Sequence, residues 1–180
     1  EKYKLSKRSG KAITLSTLLD EIPIDAARFF FNLREPNSHF DFDLDLAVEK
    51  SSQNPVYYVQ YAHARICSLL TNLKNEGFEA ASYDKKELDI LDKPQETELI
   101  RHLASLPGEI DNAAKTYDPS RITKYSVELA TLFHKFYDAC SVKNAETEQL
   151  KKARLILCRA VLQTLRNSLA ILKIDRPEKM

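Results

Sequence analysis

Apolar residues recur every three to four positions along most of this chain, and caps, prolines and a glycine divide them into segments. Leu15, Leu18 and Leu19 follow Thr14, a hydroxyl placed to cap a short helix with those leucines facing inward. Ala26, Phe29, Phe30 and Leu33 are spaced for burial on a second helix over 25–34. His39 to Asp45 alternates instead, which predicts a brief extended segment before a helix. Its aspartates read as a carboxylate pair for catalysis or metal, or as acids favoured at a helix N-terminus, and the second reading is adopted.

Asn54 with Pro55 is a cap followed by a proline at the first helical position. The helix it opens runs to about Lys74, with Val59, Ala62, Ile66, Leu69, Leu70 and Leu73 inside, and Gly77 ends it. Residues 75–95 read as an irregular or partly helical connector. Leu99, Ile100 and Leu103 predict a helix that Pro107 stops, with a separate short helix over 108–116. Asp118 and Pro119 repeat the cap-then-proline start and open a helix to about Cys140, with Ile122, Tyr125, Leu129, Leu132, Phe133 and Phe136 apolar. The last helix, 146–173, carries a broad apolar face from Leu150 to Leu172 and belongs at the centre of a bundle. With three glycines in 180 residues and little alternating β-branched pattern, the fold class is all-α, a helical bundle.

Composition narrows this further. At 43% hydrophobic, 180 residues suffice for one moderate domain plus an appendage. The net charge of +1 is uninformative, but its distribution is not. The first eleven residues hold five bases against Glu1, the last thirty hold eight against Asp175 and Glu178, and 76–118 is acidic. Basic ends around an acidic middle suit a polyanion gripped at selected places, although solvated helix faces look similar. Cys67, Cys140 and Cys158 form neither a disulfide framework nor, with four scattered histidines, a zinc spacing. They read as reduced thiols of a cytoplasmic protein. No apolar run reaches membrane-spanning length, no signal-peptide pattern opens the chain, and no metal site is expected. The chain opens on Glu1 inside a lysine-rich stretch, so it is expected to be a piece of a longer protein.

Two patterns carry candidate chemistry. Tyr58, Tyr61 and Arg65 fall along one side of their helix, where two phenol rings and a guanidinium can stack on unpaired bases and grip phosphate. The same spacing suits half-buried core aromatics beside a surface charge. On the last helix Lys152, Arg159, Gln163, Arg166 and Lys173 form a polar stripe that either tracks a nucleic-acid backbone or is a solvated face.

The run DAARFFFNLREPNSHFDFDLDLAVEKSSQNPVYYVQYAHARIC, Asp25 to Cys67, resembles the junction in bacterial arginyl-tRNA synthetases where the catalytic domain passes into the helical anticodon-binding domain. The likeness extends upstream to KLSKRSGKAITL and downstream to Arg176–Met180. It implies that Lys4, Ser6, Lys7 and Arg8 stand where a KMSKS loop stabilises ATP phosphates, with Leu5 for Met and Arg8 for the final Ser. Lysines and small hydroxyls there can neutralise a pyrophosphate leaving group. It implies a stem contact for DAAR at the inner corner of the L-shaped tRNA. It also implies an anticodon pocket between the Asn54 helix and the last residues, placing Tyr58, Tyr61 and Arg65 against Met180. Ala64 and Tyr137 are further lining candidates, the latter through HKFYDAC, and Ser141 stands where some relatives carry tryptophan.

The resemblance divides the chain into 1–20, a loop and short helix left from a catalytic domain; 21–53, stem-contact and connector helices; and 54–180, the anticodon-binding bundle. The parent ligates arginine to tRNA(Arg) through an adenylate, using ATP and Mg²⁺. Its implied partners are that tRNA and a catalytic domain earlier in the same chain, with no membrane and no DNA. Without a HIGH-type motif or a β-sheet, these 180 residues are expected to bind tRNA weakly, to catalyse nothing alone, and to leave 1–19 poorly packed. Two other readings stay open: a helical module whose tyrosine face meets a protein, and the equivalent bundle of another class I synthetase such as that for cysteine.

Overall fold

Side-chain caps set the starts of four helices. The Thr14 hydroxyl accepts from the Thr17 amide at 3.1 Å, Asp43 from Leu46 at 3.0 Å, Asn54 from Val56 at 3.2 Å and Thr147 from Leu150 at 3.1 Å. The computed structural model describes residues 14–79 and 83–180. Over these, the chain forms α1 (Leu15–Glu21), α2 (Ile24–Asn32), α3 (Leu44–Val48), α4 (Pro55–Asn75), a 3₁₀ turn (Lys85–Leu88), α5 (Pro94–Thr116), α6 (Ser120–Ala139) and α7 (Glu148–Ile171). Among the described residues there is no strand.

Several expectations hold in detail. Asp43 caps α3 and Asp45 lies in its first turn, so these acids serve a helix N-terminus. The alternation before them is real, but Phe40 and Phe42 pack on α2 rather than on another strand: Phe42 lies 5.4 Å from Phe30 and 5.3 Å from Phe31. Gly77, at φ 81°, closes α4 while the Phe78 amide reaches back to the Leu73 carbonyl at 2.9 Å. The same wrap ends α7 without a glycine: Lys173 sits at φ 57° and the Ile174 amide bonds the Leu169 carbonyl at 2.9 Å.

Two expectations do not hold. Pro107 does not end a helix, and α5 runs unbroken from Pro94 to Thr116. A proline forfeits one backbone hydrogen bond, but α6 clasps α5 on both sides of it. Before Pro107, His102 stacks on Tyr125 at 4.2 Å and its carbonyl accepts the Tyr125 hydroxyl at 3.0 Å. After it, Glu109 pairs with Arg121 at 2.9 Å. The second correction concerns α1, where Leu15 is 63% exposed and only Leu18 packs on the core. Among the described residues no other helix packs along this two-turn segment, so Leu15 stays largely exposed and Leu19 partly so.

The core forms where α4, α6 and α7 pack on one another, with α2 across α4 and α5 against α6 and α7. Val59, Ala62 and Ile66 meet Leu129, Phe133 and Phe136, and Val161, Leu165 and Leu169 complete the interior, all fully buried. Cys140 and Cys158 are buried free thiols, and burial pushes the Cys158 thiol up to about 12. Among the described residues no helix is long and apolar enough to cross a membrane.

One ion pair lies inside this apolar setting. The Arg154 Nε of α7 donates to Glu96 of α5 at 2.7 Å, and its Nη1 donates to the Ser141 carbonyl at 2.8 Å. The other Glu96 oxygen accepts from the Lys93 amide at 3.1 Å and so caps the start of α5. Three segments distant in sequence are thereby tied at one point. Arg154→Met alone leaves Glu96 charged and unpaired, and should cost roughly 3–5 kcal/mol of unfolding free energy in urea. Adding Glu96→Leu should recover most of that loss. A single variant as stable as the parent would show that the pair does not hold α5 to α7.

Candidate functional site

α4 presents three kinds of surface. Its apolar stripe faces the core, and the 3.6-residue repeat places one polar flank toward α6 and the other toward α2 and α7. The first flank is aromatic. The Tyr58 and Tyr61 rings lie 4.9 and 5.9 Å from the His134 ring of α6, and Tyr57 lies parallel to Tyr61 at 6.4 Å. The Arg65 guanidinium sits over the Tyr137 ring at 4.0 Å, approaches His134 Nδ1 at 3.3 Å and the Asp138 carboxylate at 3.7 Å. Arg65 therefore has a fixed position before any ligand arrives. Tyr61 is 40% exposed, leaving ring surface open to solvent, whereas Tyr58 is half-buried. Beside Arg65 and Tyr137 opens a cleft of about 370 Å³, whose wall includes Asn72, Asn75 and Lys143.

The structure thus joins Tyr58, Tyr61, Arg65 and Tyr137 in one cluster and adds His134 and Tyr57. His134 stands one turn before Tyr137 in HKFYDAC, the only sequence signal that could have found it. Arginine can only donate, so Nδ1 of His134 must accept and a neutral ring carries its proton on Nε2. Burial, then the Arg65 charge, holds this imidazole below its ordinary value. Ser141 lies beyond the end of α6; its hydroxyl bonds the Asn144 amide at 3.1 Å and its carbonyl takes Arg154.

The second flank of α4 holds the last residues of the chain. Gln60 Nε2 donates to the Asp25 carboxylate at 3.0 Å and to the Asp175 carbonyl at 3.1 Å, and the Asp175 amide donates to the same Asp25 oxygen at 3.1 Å. Arg28 donates to the Lys173 carbonyl at 2.7 Å. Asp25 and Arg28 of DAAR are therefore turned onto the tail. Burial raises the Asp25 carboxyl above its ordinary value, against the lowering effect of the Asp175 amide. Further along, His63 Nδ1 bonds the Pro177 carbonyl at 2.9 Å while Arg166 Nε bonds His63 Nε2 at 3.2 Å. A carbonyl only accepts and a guanidinium only donates, so the two bonds together fix His63 neutral with its proton on Nδ1. Burial first, and the Arg166 charge besides, hold its imidazole below the ordinary value, although the Pro177 carbonyl opposes this.

Tyr58 and Arg65 lie on the opposite side of α4 from these tail anchors, and Tyr61 and Ala64 occupy the arc between. Ala64 is 4% exposed although that arc faces away from the core. Met180 is 50% exposed. In the basic stripe, Lys152 binds both oxygens of Glu87 at 2.9 Å and Arg166 reaches Glu178 at 3.4 Å as well as His63. Lys173 is the left-handed residue closing α7, and Arg159 is exposed. Lys4, Ser6, Lys7 and Arg8 lie outside the described residues. Among the described residues no group of three or more His, Cys, Asp or Glu could hold a metal.

A family profile described as the DALR anticodon binding domain matches residues 59–180. The chain is 51% identical over 177 residues to an arginine–tRNA ligase of Acetivibrio thermocellus and 50% identical over 177 residues to one of Caldanaerobacter subterraneus. Each match covers 98% of this chain and 31% of the relative, so the chain spans about a third of the length of these curated relatives. The fold superposes on Thermus thermophilus arginyl-tRNA synthetase with a TM-score of 0.74 and 26% identity, over 97% of this chain and 29% of that one.

The two acceptor histidines set an acid limit. A histidine held below its ordinary value contributes stability that is complete above about pH 6.5 and is lost as pH falls through the lower folded value. The urea midpoint should therefore fall on acidification. In a proton NMR titration the ring signals of His63 and His134 should shift with midpoints below 6.5. A midpoint above 6.5 for either ring would refute the assigned neutral form.

Proposed function

The chain belongs to the DALR anticodon-binding domain family, and from that premise we propose that it is the tRNA-reading portion of a longer arginine–tRNA ligase, with tRNA(Arg) as its RNA. The observation that carries this reading is the cluster on α4 and α6, where an open tyrosine ring lies beside a guanidinium already fixed in place. The anticodon loop offers unpaired bases and phosphates. An exposed Tyr61 face suits stacking on such a base, and the Arg65 N–H groups not engaged by His134 suit a phosphate or base edge. Holding Arg65 over Tyr137 in advance lowers the ordering cost of that contact.

The relatives are arginine–tRNA ligases, which favours arginine over cysteine as the parent's amino acid. In this reading Lys4, Ser6, Lys7 and Arg8 serve ATP, with Mg²⁺, once joined to a catalytic domain earlier in the same chain, and the ligase acts in the cytoplasm. The surface placement of Arg159 is compatible with a role on the tRNA backbone.

The test is titration of the chain with an anticodon stem-loop of tRNA(Arg) at fixed salt. Tyr61→Ala and Arg65→Ala should each weaken binding by roughly 1–3 kcal/mol, with circular dichroism unchanged. Wild-type affinity should fall steeply with added salt. Salt-insensitive binding, or none, would leave the tyrosine face as a protein-interaction surface and refute the RNA reading.

A further inference from the structure

Nothing apolar holds the chain in place after Ile174. Ile174 is 4% exposed, but Asp175, Arg176, Glu178, Lys179 and Met180 are all exposed and Pro177 is only partly covered. Yet the main chain is gripped at alternate residues by side chains of α2 and α4. Arg28 takes the carbonyl of residue 173, Asp25 and Gln60 take the amide and carbonyl of 175, and His63 takes the carbonyl of 177. These bonds read backbone, not side chains, and Gln60 and Arg166 brace the gripping residues in turn. Such an arrangement fixes a path, and the path ends at a half-exposed Met180.

Building on the anticodon-binding reading, we propose that His63 is a positioning residue, which with Asp25 latches the tail onto α4 and so sets where Met180 stands, without itself touching RNA. The latch is proton-sensitive. Protonated His63 would still donate to Pro177 but would lose the Arg166 bond and face that guanidinium with a like charge. The charged groups around it are Arg166 from α7 and Arg176 and Glu178 from the tail, with the Cys67 thiol on α4 itself. The two arginines oppose protonation and Glu178 favours it. Burial and the arginines keep the latch closed at neutral pH, and acid opens it.

Met180 is the chain's one methionine, so ¹³C-methyl-methionine labelling reports the tail alone. His63→Leu should move the Met180 methyl signal to the free-methionine position and weaken anticodon stem-loop binding about tenfold, the worth of a hydrogen-bonded anchor. His63→Asn keeps a donor near Nδ1 and should restore both. Met180→Ala should cost a similar factor, and His63→Leu combined with Met180→Ala no more than either alone, because both act through one position. Lowering the pH from about 7.5 through the His63 titration midpoint should shift the wild-type signal the same way, and the same acidification should leave that of His63→Asn unmoved.

A folded His63→Leu chain with an unmoved methyl signal, or an additive double variant, would overturn the latch. If His63→Leu fails to fold, Asp25→Asn combined with Gln60→Leu opens the other clamp and is read by the same signal. If the wild-type chain binds no stem-loop, the anticodon reading falls, while the methyl signal still decides whether His63 holds the tail.

Discussion

Burial of one stripe of α4 is the constraint on which the remaining geometry depends. Val59, Ala62 and Ile66 are wholly enclosed where α4 meets α6 and α7, burial of the Val59 and Ile66 side chains being worth roughly 1.5–3 kcal/mol each. Once this stripe is fixed, the rotation of the helix is fixed too, and both polar flanks are placed. Tyr58 and Arg65 must look along α6, and Gln60 and His63 must look toward α2 and α7. Neither flank can be re-aimed without withdrawing the stripe. The two polar assemblies are therefore positioned by apolar packing to which they contribute little.

This explains why the residues with candidate chemistry already have partners. Arg65 is shared among Tyr137, His134 and Asp138, and Arg166 among His63, Cys67 and Glu178. In both places a neutral histidine accepts from an arginine. Arginine stays charged at all relevant pH, so the histidine is the member that must stay neutral. A lysine in either place would lose the planar fork that serves several acceptors at once. The tail assembly and the aromatic assembly thus follow one chemical plan on opposite sides of the same helix.

The sequence made the regular parts legible and the long-range polar parts illegible. Asn54–Pro55, Gly77, Asp43 and Thr14 act locally, within one turn, and each does what its position implied. Pro107 was misread because its local rule was overruled by contacts to α6, which lies too far along the chain for a window to register. Tyr58, Tyr61 and Arg65 were visible as a stripe, and their juxtaposition with Tyr137 came through family resemblance rather than spacing. His134, the Asp25–Gln60–Asp175 junction and the Glu96–Arg154 pair were not visible. Their partners are separated by scores of residues, and nothing in the spacing of a histidine or an acid says which helix it will meet.

The DAAR run, for which the resemblance implies a tRNA-stem contact, has an intramolecular task in this structure. Asp25 and Arg28 lie one turn apart on α2, so their side chains share a face, and that face is covered by residues 173–175. Arg28 reaches the Lys173 carbonyl, which is presented because Lys173 adopts the left-handed conformation that ends α7. Had α7 run one more turn, that carbonyl would have been spent inside the helix and the chain would have continued past α2. The helix-ending turn at Lys173 and the acid at Asp25 are thus two halves of one device, which bends the chain off α7 and delivers it across α4. A role for this motif at a tRNA stem has to coexist with that intramolecular grip. Ile24 and Phe31, one turn to either side of Arg28 on the same face of α2, stand half exposed beside that grip, while the opposite face, with Ala26 and Phe30, is buried in the core.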